Sequence, residues 1–168
     1  PWLPAARHYR NSLAKLAEAI SVLNDEDLAF VVTLGDLVDQ GADSLEPVLQ
    51  AYRALRHESF LLPGNHDFAV PTELLDQVHA RLGMPSAWHA FERAGIRFVV
   101  IDGSEVSLFS TPQGHPRHVA AAERLASMEA AGALNARPWN GAMGDEQFAW
   151  LESCLLYTSD AADDLLCV

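Results

Sequence analysis

Basic residues are scarce in this 168-residue chain. Lys and Arg total 11 against 23 Asp and Glu, a formal net charge of −12. A nucleic-acid or anionic-membrane surface needs a basic patch, so neither partner is expected. Cysteine is scarcer still: Cys154 and Cys167 are the only two. They give no disulfide framework and no metal-ligand spacing, and a reducing compartment, the cytoplasm, is the expectation. No apolar run reaches the roughly 18 residues of a membrane span. The start, Pro1-Trp2-Leu3-Pro4, lacks a methionine, a basic n-region and an apolar h-region, so it does not read as a signal peptide. It reads as a chain entered part-way through. No internal repeat is visible.

What is present suits a single soluble globular domain. About half the residues are hydrophobic, 49%, and 20% are charged, which leaves enough apolar surface for a core. Most of the carboxylates are expected on solvated helix faces. Residues 7–24 form an amphipathic pattern, with Leu13, Leu16, Ala17, Ile20 and Leu23 on one face of a 3.6-residue period. Residues 28–34 (LAFVVTL) are a continuous apolar run with β-branched members, as a strand covered on both faces requires. A loop over 36–43, a helix over 44–56 and a short strand over 59–62 follow. A third helix is expected over 71–82, with Pro71 suited to its first turn. A short strand at 88–91, a turn at 93–95 and a strand at 96–102 come next. Helices over 118–131 and 145–155 close the pattern, separated by loops over 103–116 and 132–144. Strand–helix alternation of this kind predicts an α/β layered fold.

Two stretches concentrate chemistry. Gly35-Asp36-Leu37-Val38-Asp39 and Gly64-Asn65-His66-Asp67 each directly follow an apolar strand. In open α/β sheets ligands bind at the carboxyl ends of the strands. A carboxylate there, Asp36, can bridge two metal ions. Asn65 offers a neutral amide oxygen as a ligand, which adds no charge where phosphate must also bind. His66 can donate to a phosphate or leaving-group oxygen. Asp39 can support loop groups or a histidine, and Asp67 can orient His66. Gly-Asp at a strand end also serves as a helix cap or Asx turn. Gly-Asn-His-Asp has no turn-only reason to carry His and then Asp.

GDLVD and GNHD resemble the GDxxD and GNH[DE] blocks of the calcineurin-like metallophosphoesterase superfamily. The resemblance implies an α/β/β/α sandwich, here incomplete at both ends. It implies that Asp36 bridges both metals, that Asn65 binds the second, and that His66 contacts phosphate or the leaving oxygen. Asp39 and Asp67 become supporting residues. Two divalent ions are implied, Mn²⁺ first, with Fe, Zn or Mg as alternatives, and a small-molecule phosphate as substrate. Further segments are similar to the manganese-dependent ADP-ribose/CDP-alcohol diphosphatase family: residues 8–13 (HYRNSL), 97–102 (RFVVID), 140–144 (NGAMG) and 146–151 (EQFAWL).

The superfamily's first block, Asp-x-His or Asp-x-Gln, is expected upstream of Pro1, and its lone histidine and Gly-His-x-His block downstream of Leu155. Gly114-His115-Pro116-Arg117-His118 resembles the latter only superficially, with spacing wrong by one residue, and reads as a loop. His57, His79 and His89 read as surface or packing residues. Residues 1–155 are thus expected to be a partial metallophosphoesterase domain. Residues 156–168 resemble the translation of a sequencing adapter and read as a non-native tail. The resemblance implies a binuclear-metal phosphohydrolase acting on a nucleoside-diphosphate-linked compound, with this stretch inactive alone. The alternatives are another phosphodiesterase or phosphomonoesterase of the superfamily, or a non-catalytic binding or scaffold module.

Overall fold

The run Val31–Leu34 pairs in parallel with Ser59–Leu62, in the register Val31↔Ser59 to Leu34↔Leu62. These strands, β1 and β2, are taken from a computed structural model that describes residues 11–39 and 41–159. The Arg7-to-Arg10 start of the first expected helix and all but the first residues of the expected tail lie outside them. Parallel partners cannot be joined by a tight turn, and the connection needs a helical crossover. Helix α2 (Leu45–Tyr52), entered through a 3₁₀ turn at Ala42–Ser44, is that crossover. Helix α1 (Ser12–Asp25) precedes β1. By contact the chain divides between Pro71 and Thr72 into two compact units, and these elements make up the first.

In the first unit Ile20, Leu45, Leu55, Leu61 and Phe68 are buried. Asn24, near the end of α1, ties that helix to the α2–β2 connection. Its amide donates to the Ala54 carbonyl at 2.8 Å, and its oxygen accepts from the Arg56 N–H at 2.8 Å. One face of β1 meets α2, where Thr33 and Tyr52 hydroxyls lie 2.6 Å apart. The other face is open: Leu34 is 82% exposed, so the two-sided cover expected for this strand is not complete. The strand is also shorter than its apolar run. Pairing starts where its partner starts, with the Val31 N–H on the Glu58 carbonyl at 2.9 Å.

The second unit opens on a 3₁₀ turn at Thr72–Gln77 that passes into a short helix, α3 (Val78–Arg81), where the sequence predicts one continuous helix. Strands β3 (His89–Arg93) and β4 (Ile96–Val100) follow as an antiparallel hairpin, with Arg93 opposite Ile96. The two-residue turn Ala94-Gly95 has φ of 52° and 75°. Positive φ at both central positions is the type I′ geometry that matches strand twist. Phe91 and Phe98, opposite each other in the hairpin, stack at 5.1 Å.

Helix α4 (Pro116–Ala130) begins inside the stretch read from sequence as a loop. The reason is local. His115 has extended backbone and its Nδ1 accepts the Arg117 N–H at 3.2 Å, while Pro116 occupies the first turn. That is a helix start rather than a ligand block. Helix α5 (Asp145–Ser159) continues past Leu155, since neither Gly nor Pro interrupts it.

Gln147 of α5 has 0% exposure. Its Oε1 accepts the Asp102 N–H at 2.7 Å, and its Nε2 donates to the Asp102 carbonyl at 3.1 Å and to Glu105 Oε2 at 2.6 Å. The same Glu105 oxygen accepts the Gly144 N–H at 2.8 Å. One amide thus satisfies the chain leaving β4 and joins it to α5. The Asp102 side chain is buried, accepts the Ser104 N–H at 2.8 Å and lies 3.6 Å from His79 Nε2.

Burial pushes the His79 imidazole below its ordinary 6.5, against the pull of Asp102. Burial likewise pushes the Asp102 carboxyl up, against the Ser104 N–H and His79. A histidine with a depressed folded value stabilises fully above its unfolded value and loses that contribution as pH falls through the folded one. The His79 contribution to stability should therefore grow as pH rises toward its ordinary 6.5, whereas that of Asp102, whose value is raised, falls as pH rises through it. His79→Gln should remove the first of these trends, measured by urea unfolding at several pH values, and an unchanged slope would contradict the assignment.

Candidate metal centre

The parallel register puts Leu34 opposite Leu62, so both strands release their chains at the same edge. The two following loops are pressed together. A Cβ on Gly35 would lie 2.5 Å from the Gly64 nitrogen and 2.7 Å from its Cα. A Cβ on Gly64 would fall on the Asp36 Oδ1 carboxylate oxygen and 2.6 Å from the Asp36 nitrogen. Gly35 has φ of 96°, a region only glycine enters readily. Both glycines are therefore required by contact, and one also by conformation.

Asp36 itself has φ of 53°, a left-handed conformation that Asp tolerates better than most residues. Its side chain is exposed, and Oδ1 accepts the His66 N–H at 3.2 Å. Oδ2 has no hydrogen-bond partner among the described residues. Asn65 and His66 lie in a 3₁₀ turn, Asn65–Phe68. The Asn65 side chain is half-buried, and its amide also has no partner among the described residues.

Asp67 is 5% exposed. Its Oδ1 accepts the Val38 N–H at 3.0 Å and its Oδ2 the Gly64 N–H at 2.8 Å. It clips one loop to the other. Among the described residues no hydrogen bond joins it to the His66 ring, and its two oxygens are turned to the Val38 and Gly64 N–H groups. Asp39 orients His66 instead: Oδ1 lies 3.1 Å and its backbone oxygen 3.2 Å from His66 Nδ1. Two acceptors at Nδ1 fix the proton there, and Nε2 is left without a protein partner among the described residues.

The loops thus bring together all five residues singled out from the sequence. Asp36 and Asn65 keep oxygen atoms free. Such hard donors suit Mn²⁺ or Mg²⁺ better than soft metals. They amount to part of a shell: among the described residues no group of three or more His, Cys, Asp and Glu side chains could hold a metal. An open cavity of about 830 Å³ adjoins Asp36, Asp39 and His66, walled by Leu16, Thr33 and Tyr52 among others. Tyr52 lines this cavity from α2. Its hydroxyl, paired with Thr33, had no signal beyond the residue type.

The clip supports a direct stability test. Asp67→Ala leaves two N–H groups, those of Val38 and Gly64, without an acceptor. The loss should be about 2–4 kcal/mol, since a hydrogen bond to a charged group contributes about 1.5–3 kcal/mol. Chemical denaturation measures it; a change under about 0.5 kcal/mol would show that water replaces the carboxylate freely.

Comparison with known proteins gives the family. Residues 8–165 match the calcineurin-like phosphoesterase family. A manganese-dependent ADP-ribose/CDP-alcohol diphosphatase of Arabidopsis thaliana is 30% identical over 184 residues, which is 95% of this chain and 58% of that protein. The Homo sapiens protein of the same name is 25% identical, over 96% of this chain and 58% of its own length. The chain therefore spans somewhat more than half the length of these relatives. The crystal structure of a dimetal phosphatase from Danio rerio superposes with a TM-score of 0.75 at 22% identity, covering 90% of this chain and 57% of that one. The chain is thus of mixed α/β type and similar in fold to that phosphatase. The chain belongs to the calcineurin-like phosphoesterase family.

Proposed function

We propose that the whole protein is a binuclear-metal phosphohydrolase, and that residues 1–155 carry the middle part of its metal site. One observation carries this reading. At the shared edge of β1 and β2, the hydrogen-bond network leaves Asp36 Oδ2 and the Asn65 amide oxygen without a described protein partner. Asp36 would bridge two divalent ions, Mn²⁺ by preference, and Asn65 would hold one of them. When bound, such ions supply Lewis acidity and a hydroxide nucleophile at neutral pH.

The remaining work falls to this chain. His66 presents Nε2 outward because Asp39 holds Nδ1. Nε2 accepts a hydrogen bond in the neutral ring and donates one in the protonated ring, which suits it to a phosphate or leaving-group oxygen. Asp67 keeps the two loops in register, so Asp36 and His66 hold their spacing without reorganisation. The substrate is a phosphoanhydride or phosphodiester of a nucleoside-diphosphate-linked compound. ADP-ribose and CDP-alcohols are the first candidates, because the relatives are named for them. No helix among the described residues is long and apolar enough to cross a membrane, and the free thiol of Cys154 suits a reducing compartment such as the cytoplasm.

In a longer form carrying the remaining ligands, Asp36→Asn should lower kcat/KM for ADP-ribose by at least roughly a hundredfold and reduce bound Mn²⁺. Unchanged activity and metal content would favour a scaffold role for the loops. Faster turnover of a simple aryl phosphodiester than of ADP-ribose would instead assign the protein to another branch of the superfamily.

Residues 1–168 alone should bind Mn²⁺ weakly and hydrolyse ADP-ribose slowly or not at all. Calorimetric titration with Mn²⁺ decides this: tight uptake of two ions would show that the site is already complete.

A further inference from the structure

Away from the β1–β2 loops, the second unit contains a cavity of about 470 Å³. Helix α4 forms one wall, presenting Ala121, Arg124, Leu125 and Met128, which the helical period places on one face. The segment 135–142 forms the other wall. That segment is held in place: Val106 and Ala142 exchange two backbone hydrogen bonds at 2.9 and 3.0 Å, and the Asn140 amide donates to the Asn135 carbonyl at 2.8 Å. The cavity is therefore preformed, and its size lies within the range of small-molecule sites, roughly 300–1,000 Å³.

Its charge runs against that of the chain. The protein carries 23 acidic and 11 basic side chains apart from histidine, yet no carboxylate lines this cavity, and two guanidinium groups do, Arg124 and Arg137. Arg137 spends one N–H on the Ala136 carbonyl at 3.0 Å. Arg124 has no hydrogen-bond or ion-pair partner among the described residues. Val106 and Leu108 add apolar surface beside the α4 residues, and Asn135 and Asn140 add polar groups. A cavity lined by two arginines and several apolar side chains is complementary to an anion with an attached apolar body. Planar guanidinium groups bind phosphate oxygens by two parallel hydrogen bonds.

We propose that the cavity between α4 and the 135–142 segment binds an organic phosphate monoester, its phosphate held by Arg124 and Arg137 and its organic part on the apolar wall. The site is separate from the Asp36–His66 loops in its residues and needs no metal. It does not rest on the activity proposed above.

AMP is a suitable probe, titrated into residues 1–168 in the presence of EDTA so that metal-dependent phosphate contacts are absent. Binding is read by calorimetry and by backbone amide shifts at Ala136, Asn140 and Ala142. AMP should bind with a Kd below about 1 mM, and adenosine at least roughly tenfold more weakly, because it lacks the charged group. The double variant Arg124→Gln/Arg137→Gln should lose at least roughly tenfold in affinity, and the double Lys variant should recover part of it. Both arginines are exposed, so the substitutions should leave the fold intact, which the unchanged amide spectrum elsewhere would verify. Absence of AMP binding, equal binding by the double Gln variant, or equal binding of adenosine would each overturn the proposal. Inorganic phosphate binding as tightly as AMP would overturn the role given to the apolar wall.

Discussion

The metal-centre loops depend on a backbone contact for which only glycine leaves room. Gly35 and Gly64 lie so close that a Cβ on either would occupy the space of the other loop. Parallel pairing of β1 with β2 delivers both loops to the same edge, but pairing alone does not fix their separation. The glycines set it, and Asp67 holds it. A carboxylate accepting two backbone N–H groups from two loops restrains both in a way no apolar contact could, because hydrogen bonds are directional. The restraint also satisfies donors that would otherwise be stranded beside the buried Val38 and Phe68.

That restraint has a chemical consequence. Asp36 is held in a left-handed conformation with one oxygen on the His66 N–H. A single accepted hydrogen bond is enough to aim the carboxylate and leaves its second oxygen for a ligand. Asp39 acts on the other side of His66 and commits Nδ1, so the opposite ring nitrogen faces outward. The five residues divide into holders and presenters. Asp67 and Asp39 hold, while Asp36, Asn65 and His66 present.

Much of this was legible in the sequence, for reasons that differ by element. The two motifs stand out because glycine and polar residues follow apolar runs abruptly, and that discontinuity survives any uncertainty about strand length. Their adjacency in space follows from parallel pairing of consecutive strands. What could not be read was the division of labour between Asp39 and Asp67. Both are acids near His66, and only coordinates show that Asp67 is consumed by Val38 and Gly64. The strands at 88–91 and 96–102 and the turn between them were legible as elements, and the Ala94-Gly95 turn folds them into an antiparallel pair over His89–Arg93 and Ile96–Val100. The stretch around His115 shows a boundary error. The loop was read through Pro116, yet the helix starts there, because at a helix's first position the missing N–H of proline costs nothing.

Hydrogen-bond accounting separates the carboxylates that build this protein from those able to do chemistry, where motif membership does not. Asp67 and Asp36 belong to equally distinctive motifs, but one is buried with both oxygens occupied and the other is exposed with one oxygen uncommitted. Asp102 falls on the structural side by the same measure. It is buried, one oxygen accepts the Ser104 N–H, and the other faces His79. Burial raises its protonation tendency, a property that catalytic acids share. Its surroundings argue otherwise: the backbone on either side of that carboxyl is gripped by Gln147, itself fully buried. A carboxyl embedded in such a clasp fixes a chain segment and cannot approach a ligand without dismantling it. The groups available for chemistry are those whose lone pairs the fold has positioned but not spent.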